Sequence, residues 1–217
     1  MEIPVLFEDE HLVICVKPAG VLSEDGGMPE LLAARCGAPR IFCVHRLDKA
    51  VGGVMVYAKD GKTAALLSEA VSSRRVTKEY LAVVQGVPEE NCGILRDWLY
   101  HDAAKNKTYV VQRPRRGVKE AELSYETAAT ACTEGIGDVS LLRITLHPGR
   151  SHQIRAQFAA RKLPLLGDGR YGSAVRSCEI ALRSHRLAFV HPVTGAALDF
   201  SAPMPEAWPW ALFSTAE

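Results

Sequence analysis

The chain has 217 residues, of which 47% are hydrophobic and 24% charged, with 26 Lys/Arg against 25 Asp/Glu and a formal net charge of +1. That length suits one large domain or two small ones with a sizeable core, and the composition is that of a globular enzyme, which excludes fibrous or disordered classes. No run of about 18 apolar residues is present to span a membrane, and Met1-Glu2-Ile3-Pro4 leads straight into the acidic Glu8-Asp9-Glu10, so no signal peptide is expected.

In chain order, Leu6 to Val16 opens with alternation and passes into an apolar run, which predicts a strand. Lys17-Pro18-Ala19-Gly20 ends it with turn chemistry, because proline removes a donor and glycine frees the backbone. Leu31 to Cys36 reads as a short helix, and Val54 to Ala58 as a strand entered through Gly52-Gly53. Asp60-Gly61 opens a helix to about Ser72, with Thr63, Leu66, Leu67 and Ala70 forming one apolar face. Val76 to Val84 alternates as a strand and is closed by Gly86-Val87-Pro88. Further strands are expected over Thr108–Gln112, Leu123–Thr130 and Val139–Leu146. Ser151 reads as the N-cap of a helix reaching about Lys162, with Ile154 and Phe158 four apart facing the core. A turn-rich loop, Gly167 to Gly172, precedes strands over Ala181–Val190 and Ala196–Phe200, and a tail punctuated by Pro203, Pro205 and Pro209 follows. Many strands and few helices, without strict βαβ alternation, indicate an α+β fold with a mixed, largely antiparallel sheet. One domain over residues 1–217 is expected.

Cysteine and charge distribution narrow the function class. Cys15, Cys36, Cys43, Cys92, Cys132 and Cys178 form no close pair of the redox or zinc kind, and without an export signal they read as reduced, in a cytoplasmic protein. His147, His152, His185 and His191 fit no metal template, so no metal is expected. The near-zero net charge hides an asymmetry. Ala103–Lys119 and Val139–Gly167 together hold 11 of the 26 basic residues and no acid. Such segments build a polyanion-binding face if they meet in space, and two solvated basic stretches if they do not.

The most informative stretch is His45-Arg46-Leu47-Asp48-Lys49, which places one carboxylate between two cations in a turn that runs into an apolar strand. A carboxylate so placed is costly to bury and needs a partner to stay ionised. The basic element Pro148-Gly149-Arg150-Ser151-His152-Gln153-Ile154-Arg155 could supply one. On its own, Asp48 reads first as a turn-former before Gly52-Gly53, and Tyr80 as a half-buried strand aromatic. Ser151 beside His152 lacks the strand–elbow setting of a hydrolase nucleophile.

Five separated segments resemble, in order, the signature segments of the RluA-type pseudouridine synthases, which isomerise uridine within RNA. They are Phe7–Val13 with Lys17-Pro18-Ala19-Gly20, His45-Arg46-Leu47-Asp48, Lys78–Gly86, Gly149–Arg155, and Gly167–Gly172. Set against that pattern, the chain is expected to start at the catalytic strand and to lack the small N-terminal RNA-binding domain that many members of the family carry. Where the family has a small hydroxyl pair after the aspartate, this chain has Val51-Gly52, which removes groups that could bond the turn.

The resemblance implies Asp48 as nucleophile or base on a flipped-out uridine, with Arg155 as its ion-pair partner. It implies Tyr80 as the residue that stacks on uracil or moves the carbon-5 proton, and Arg46 as the one that fills the space left by the departed base. His45 would bond a phosphate or brace the turn. Arg150 and His152, on the first turn of their helix, would contact phosphate. The reaction is redox-neutral, so no cofactor is expected. Structured rRNA or tRNA is the expected partner, with no membrane and a monomeric protein. The alternative is a catalytically inactive RNA-binding factor in ribosome assembly or RNA folding.

Overall fold

Asp9 opens the first hairpin: its Oδ1 accepts the backbone N–H groups of His11 and Leu12, both at 2.8 Å. This side-chain turn splits the single strand expected over Leu6–Val16 into β1 (Val5–Glu8) and β2 (Leu12–Lys17), paired antiparallel. The computed structural model describes residues 2–147 and 149–214, so Pro148 of the arginine-bearing segment lies outside the described residues. The chain divides into two compact units, Met1–Glu79 with Arg183–Pro203, and Tyr80–Leu182 with Met204–Glu217.

In the first unit, α1 (Met28–Cys36) begins three residues earlier than expected, because Pro29 suits a first helical turn and Glu30 bonds back to the Gly26 and Gly27 amides. β3 (Phe42–Cys43) and β4 (Gly52–Ala58) follow. α2 (Gly61–Ser72) is capped as its sequence predicts, with Asp60 Oδ1 accepting the Thr63 amide at 2.8 Å. β10 (Leu182–Val190) and β11 (Ala197–Ser201) return late in the chain as an antiparallel pair. β4 is the hub. One of its edges pairs antiparallel with β2 from Ala58 to Gly53, and the other meets β3 at its end and β10 in parallel at its start. Every residue of β4 is buried, as expected of a strand covered on both faces. Leu12, Ile14, Val54, Val56, Leu67 and Leu187 form the heart of the unit's core.

The second unit is built on the strand order β5-β9-β8-β6-β7. β5 (Thr77–Gln85) enters it at Tyr80, followed by β6 (Cys92–Asp102), β7 (Lys107–Val111), β8 (Val118–Thr133) and β9 (Gly137–Leu146). β6 escaped the sequence reading because Gly93, Arg96 and Asp97 break its apolar pattern. Its outward charge, Arg96, pairs with Glu122 of β8 at 2.5 Å, a cross-strand compensation that no single segment displays. β7 and β8 both run antiparallel to β6, one on each side. Residues 112–117, which carry Arg113, Arg115 and Arg116, therefore cross the face of β6, and Arg115 lies 5.2 Å from the centre of the Tyr100 ring.

α3 (Gln153–Ala160) is shorter than expected and is not capped by Ser151. Its N-cap is His152, in the left-handed region at φ 53°. Ser151 instead offers its carbonyl to Thr108 Oγ1 at 2.7 Å. The predicted inward pair holds: Ile154 and Phe158 are buried, and Phe158 meets Tyr125 edge-to-face with ring centres 5.6 Å apart. Three α-helices among the described residues, with a mixed, largely antiparallel sheet, make this an α+β fold, as the sequence indicates.

One residue of β4 has no substitute. Gly53 adopts φ +126°, and an added Cβ would lie 2.1 Å from the Ser184 carbonyl oxygen. Gly53→Ala combines backbone strain with a clash against β10, and is expected to cost at least about 3 kcal/mol. Urea denaturation of the purified variant measures it; a loss under about 1 kcal/mol would show that the contact relaxes freely.

Candidate active-site residues

The turn bearing Asp48 is held by the segment that follows β2. Lys17, at the end of β2, is fully buried, and its Nζ donates to the carbonyls of Pro18 at 2.9 Å, Val21 at 2.7 Å and Lys49 at 3.2 Å. Burial pushes this ammonium down to about 8, and the Asp48 carboxylate opposes that shift. An ammonium with three carbonyl acceptors and a nearby carboxylate has the compensation that a buried charge requires. The Gly20 amide donates to the Lys49 carbonyl at 2.8 Å. Ser23 Oγ donates to the Leu47 carbonyl at 2.9 Å and accepts the Leu47 amide at 3.2 Å. The turn closes through the Val51 amide on the Asp48 carbonyl at 2.9 Å. Hydroxyls at positions 51 and 52 are therefore not needed to shape it, and Val51 is buried. Asp48 itself is half-buried and Lys49 exposed.

His45 faces inward. It is 9% exposed, and its Nε2 accepts the Val56 amide at 3.3 Å, on the edge of β4 that β3 has just left. Nδ1 therefore carries the ring proton, and it is buried without a hydrogen-bond partner among the described residues. Burial, reinforced by the Lys78 ammonium, pushes the imidazole down to about 3. His45 is thus a neutral brace at neutral pH. Arg46 points the other way: its guanidinium is exposed and reaches Glu24 Oε2 at 3.1 Å, a surface pair of small energetic worth.

In the second unit, Tyr80 is buried on β5. Arg155 is buried on α3, where its Nε and Nη2 donate to the two carboxylate oxygens of Asp168 at 2.6 and 2.9 Å. The side chains are 5% and 1% exposed. Such a bidentate pair fixes the plane of the guanidinium as well as its charge. Asp168 lies in the Gly167–Gly172 loop, singled out in the sequence for its turns; its role as a charge partner was missed, since spacing does not reveal what a loop carboxylate faces. The loop also supplies Tyr171, whose ring lies 4.9 Å from the Arg155 guanidinium carbon and 5.3 Å from Lys107 Nζ. Tyr171 Oη accepts the Thr108 amide at 2.7 Å and meets His152 Nδ1 at 3.0 Å. Arg155, His152, Tyr171 and Asp168 thus form one connected cluster. Arg150 precedes the helix rather than sitting on its first turn. Its Nε donates to the Glu120 carbonyl at 3.2 Å, and its amide to Gln153 Oε1 at 2.9 Å. No group of three or more His, Cys, Asp or Glu residues suited to a metal occurs among the described residues.

The buried, neutral His45 has a pH consequence. Unfolded, an imidazole binds its proton near its ordinary value of 6.5, whereas in the fold it does so only near about 3. Between these values the unfolded chain holds a proton the folded one lacks, so stability falls with acidification by about 1.4 kcal/mol per pH unit from this group. Urea midpoints between pH 6 and pH 4 should therefore decline less steeply for His45→Gln than for the parent; parallel profiles would contradict the burial assigned to this ring.

Comparison with known proteins follows the same residues. The model of the RNA pseudouridylate synthase family matches residues 11–160. Ribosomal large subunit pseudouridine synthase D of Xanthomonas campestris pv. campestris is 33% identical over 227 residues, which cover 93% of this chain and 66% of that protein. Its namesake in Pseudomonas aeruginosa is 29% identical, over 98% of this chain and 71% of that one. The human RNA pseudouridylate synthase domain containing 1 superposes with a TM-score of 0.80 at 20% identity, over 95% of this chain and 85% of the other, a likeness of fold. The chain spans about two thirds of the length of the curated relatives it matches first. With a family model covering most of its length and a third of its residues shared with a curated relative, this chain belongs to the RNA pseudouridylate synthase family.

Proposed function

We propose that this protein isomerises specific uridines to pseudouridine in structured RNA, ribosomal or transfer, with Asp48, Tyr80 and Arg155 as its catalytic residues. The observation that carries the reading is Asp48 itself, a half-buried carboxylate on a turn fixed by Lys17 and Ser23, in a chain of this family. In the reaction the bond between uracil N1 and ribose C1′ breaks, the freed base turns, C5 bonds to C1′, and the C5 proton leaves while N1 gains one. No electron carrier or energy source is needed. A free aspartate, with pKa near ~3.9, is already ionised at neutral pH and needs no activation by proton removal.

Asp48 acts as nucleophile or base at the ribose, and Tyr80 stacks on the uracil or takes the C5 proton. Arg155 stabilises the Asp48 carboxylate once RNA excludes water. Drawing a uridine out of a stem costs a few kcal/mol. The exposed Arg46 suits the role of filling the gap, and Arg150, His152 and the basic residues 105–119 suit phosphate contact. His45 braces the turn. Both units serve one catalytic domain that works in the cytoplasm as a monomer without cofactor or metal.

Two substitutions test this. Asp48→Asn keeps the size of the side chain and removes its charge, and should lower the rate of pseudouridine formation in ribosomal and transfer RNA transcripts by roughly 10²–10⁴-fold while leaving RNA affinity in place. Full activity in that variant would remove Asp48 from the chemistry. RNA binding by the parent with no pseudouridine in any transcript would favour an inactive RNA-binding factor. Asp168→Asn leaves the Arg155 charge buried and uncompensated, so it should destabilise the fold by about 3–5 kcal/mol, read from urea denaturation. A loss below about 1 kcal/mol would mean that Arg155 does not depend on this partner.

A further inference from the structure

The segment between β2 and α1 brings an acid to the turn that bears Asp48. Its backbone is pinned at several points. Lys17 Nζ donates to the Val21 carbonyl at 2.7 Å, the Met28 amide to the Leu22 carbonyl at 2.9 Å, and Tyr57 Oη to the Ser23 carbonyl at 3.1 Å. Ser23 is tied to Leu47 by two hydrogen bonds. Glu24 follows Ser23 and Arg46 precedes Leu47, so that double link sets the two outer residues side by side. Arg46 Nη1 completes the arrangement by donating to Glu24 Oε2 at 3.1 Å. Both members of the pair therefore stand on fixed backbone, and only their side chains are left to turn.

The pair leaves most of the guanidinium available. The Arg46 side chain is 63% exposed, and its Nε and Nη2 make no hydrogen bond among the described residues. No described aromatic ring covers its plane, whereas Arg40, Arg115 and Arg155 lie over the rings of Phe42, Tyr100 and Tyr171. An uncovered guanidinium plane is a stacking surface for a nucleobase, and its free N–H donors suit a base edge or a phosphate. An arginine that enters such a contact loses rotamer freedom. Glu24 removes part of that loss beforehand by holding one end of the fork. It also carries a cost, because a carboxylate on this surface repels RNA phosphates. Asp25, exposed and without a cation partner among the described residues, shares that repulsion and lacks the hold.

We infer that Glu24 is the positioning residue for Arg46. It keeps its hold on Nη1 in the RNA complex and presents the uncovered guanidinium plane to the bases that flank the space left by the everted uridine. The inference rests on the gap-filling role proposed for Arg46, and adds the residue that holds it in place.

The test uses the whole protein and whichever ribosomal or transfer RNA hairpin the parent binds most tightly, with 2-aminopurine opposite a stem uridine. Its fluorescence rises when that pair opens, and saturating protein removes differences in affinity. Glu24→Ala should lower the opening equilibrium about two- to five-fold, and Arg46→Ala should lower it further. The double variant should match Arg46→Ala. Glu24→Gln, which keeps an acceptor for Nη1, should fall between Glu24→Ala and the parent, and Asp25→Ala should equal the parent. Equal fluorescence from Glu24→Ala and the parent would overturn the inference, as would a parent that opens no pair. So would a Glu24→Ala effect of the same size with and without Arg46, which is the mark of a distant charge. A marked fall in melting temperature for both Glu24 variants would assign the pair to the fold, with the same consequence. Opening that depends on Glu24, without pseudouridine in any transcript, would keep this residue and sink the proposed isomerisation. Pseudouridine formation with opening indifferent to Glu24 does the reverse.

Discussion

Everything around Asp48 depends on one buried ammonium. Lys17 ends a core strand, and its charge is satisfied by three backbone carbonyls from two separate loops, those of Pro18, Val21 and Lys49. Because the carbonyls belong to the backbone, the lysine dictates where the chain runs, not merely where a side chain rests. It binds the turn after β2 to the turn before β4, and Ser23 adds a second crosslink at Leu47. The cost of desolvating an ammonium is met only while that arrangement is intact, so the turn is held in one geometry. Val51-Gly52 needs no side-chain hydroxyl here: the Val51 amide closes the turn, and Ser23 ties it from outside the motif.

The second unit solves a parallel problem with opposite means. Arg155 is buried with a full counter-charge, Asp168, in a two-point bond that fixes both position and plane. Tyr171 lies against the guanidinium and is itself tethered through its hydroxyl to Thr108 and His152. The loop at 167–172 is therefore part of the apparatus that orients the arginine. Gly167 makes the path possible, at φ +77° and with the Glu179 carbonyl oxygen 2.2 Å from where a Cβ would stand. In the Arg155–Asp168 pair each buried charge is the other's compensation, and the two-point bond adds orientation.

Much of this was legible along the chain. Strands β5, β9 and β10 and helix α2 follow from alternation, helical spacing and a capping aspartate, all properties of near neighbours. The five family segments located Asp48, Tyr80 and Arg155, since chemistry demands particular residue types at particular places. What failed in the sequence failed where local preference was overruled. β6 carries charges whose partners sit on β8, and Ser151, a good cap by type, yields that position to His152 because its carbonyl is engaged by Thr108.

Sequence alone therefore determined the family and the fold class and singled out Asp48 as the candidate carboxylate, because each is written in residues that act where they stand. Only the tertiary structure decided which charges are compensated. That Lys17 rests on carbonyls, that Arg155 is matched by Asp168 and that His45 is neutral and inward are facts about groups distant in the chain and brought together in a medium of low dielectric. There the free energy of a charge is set by what lies within a few ångströms of it, and no reading of the residues in order contains that distance.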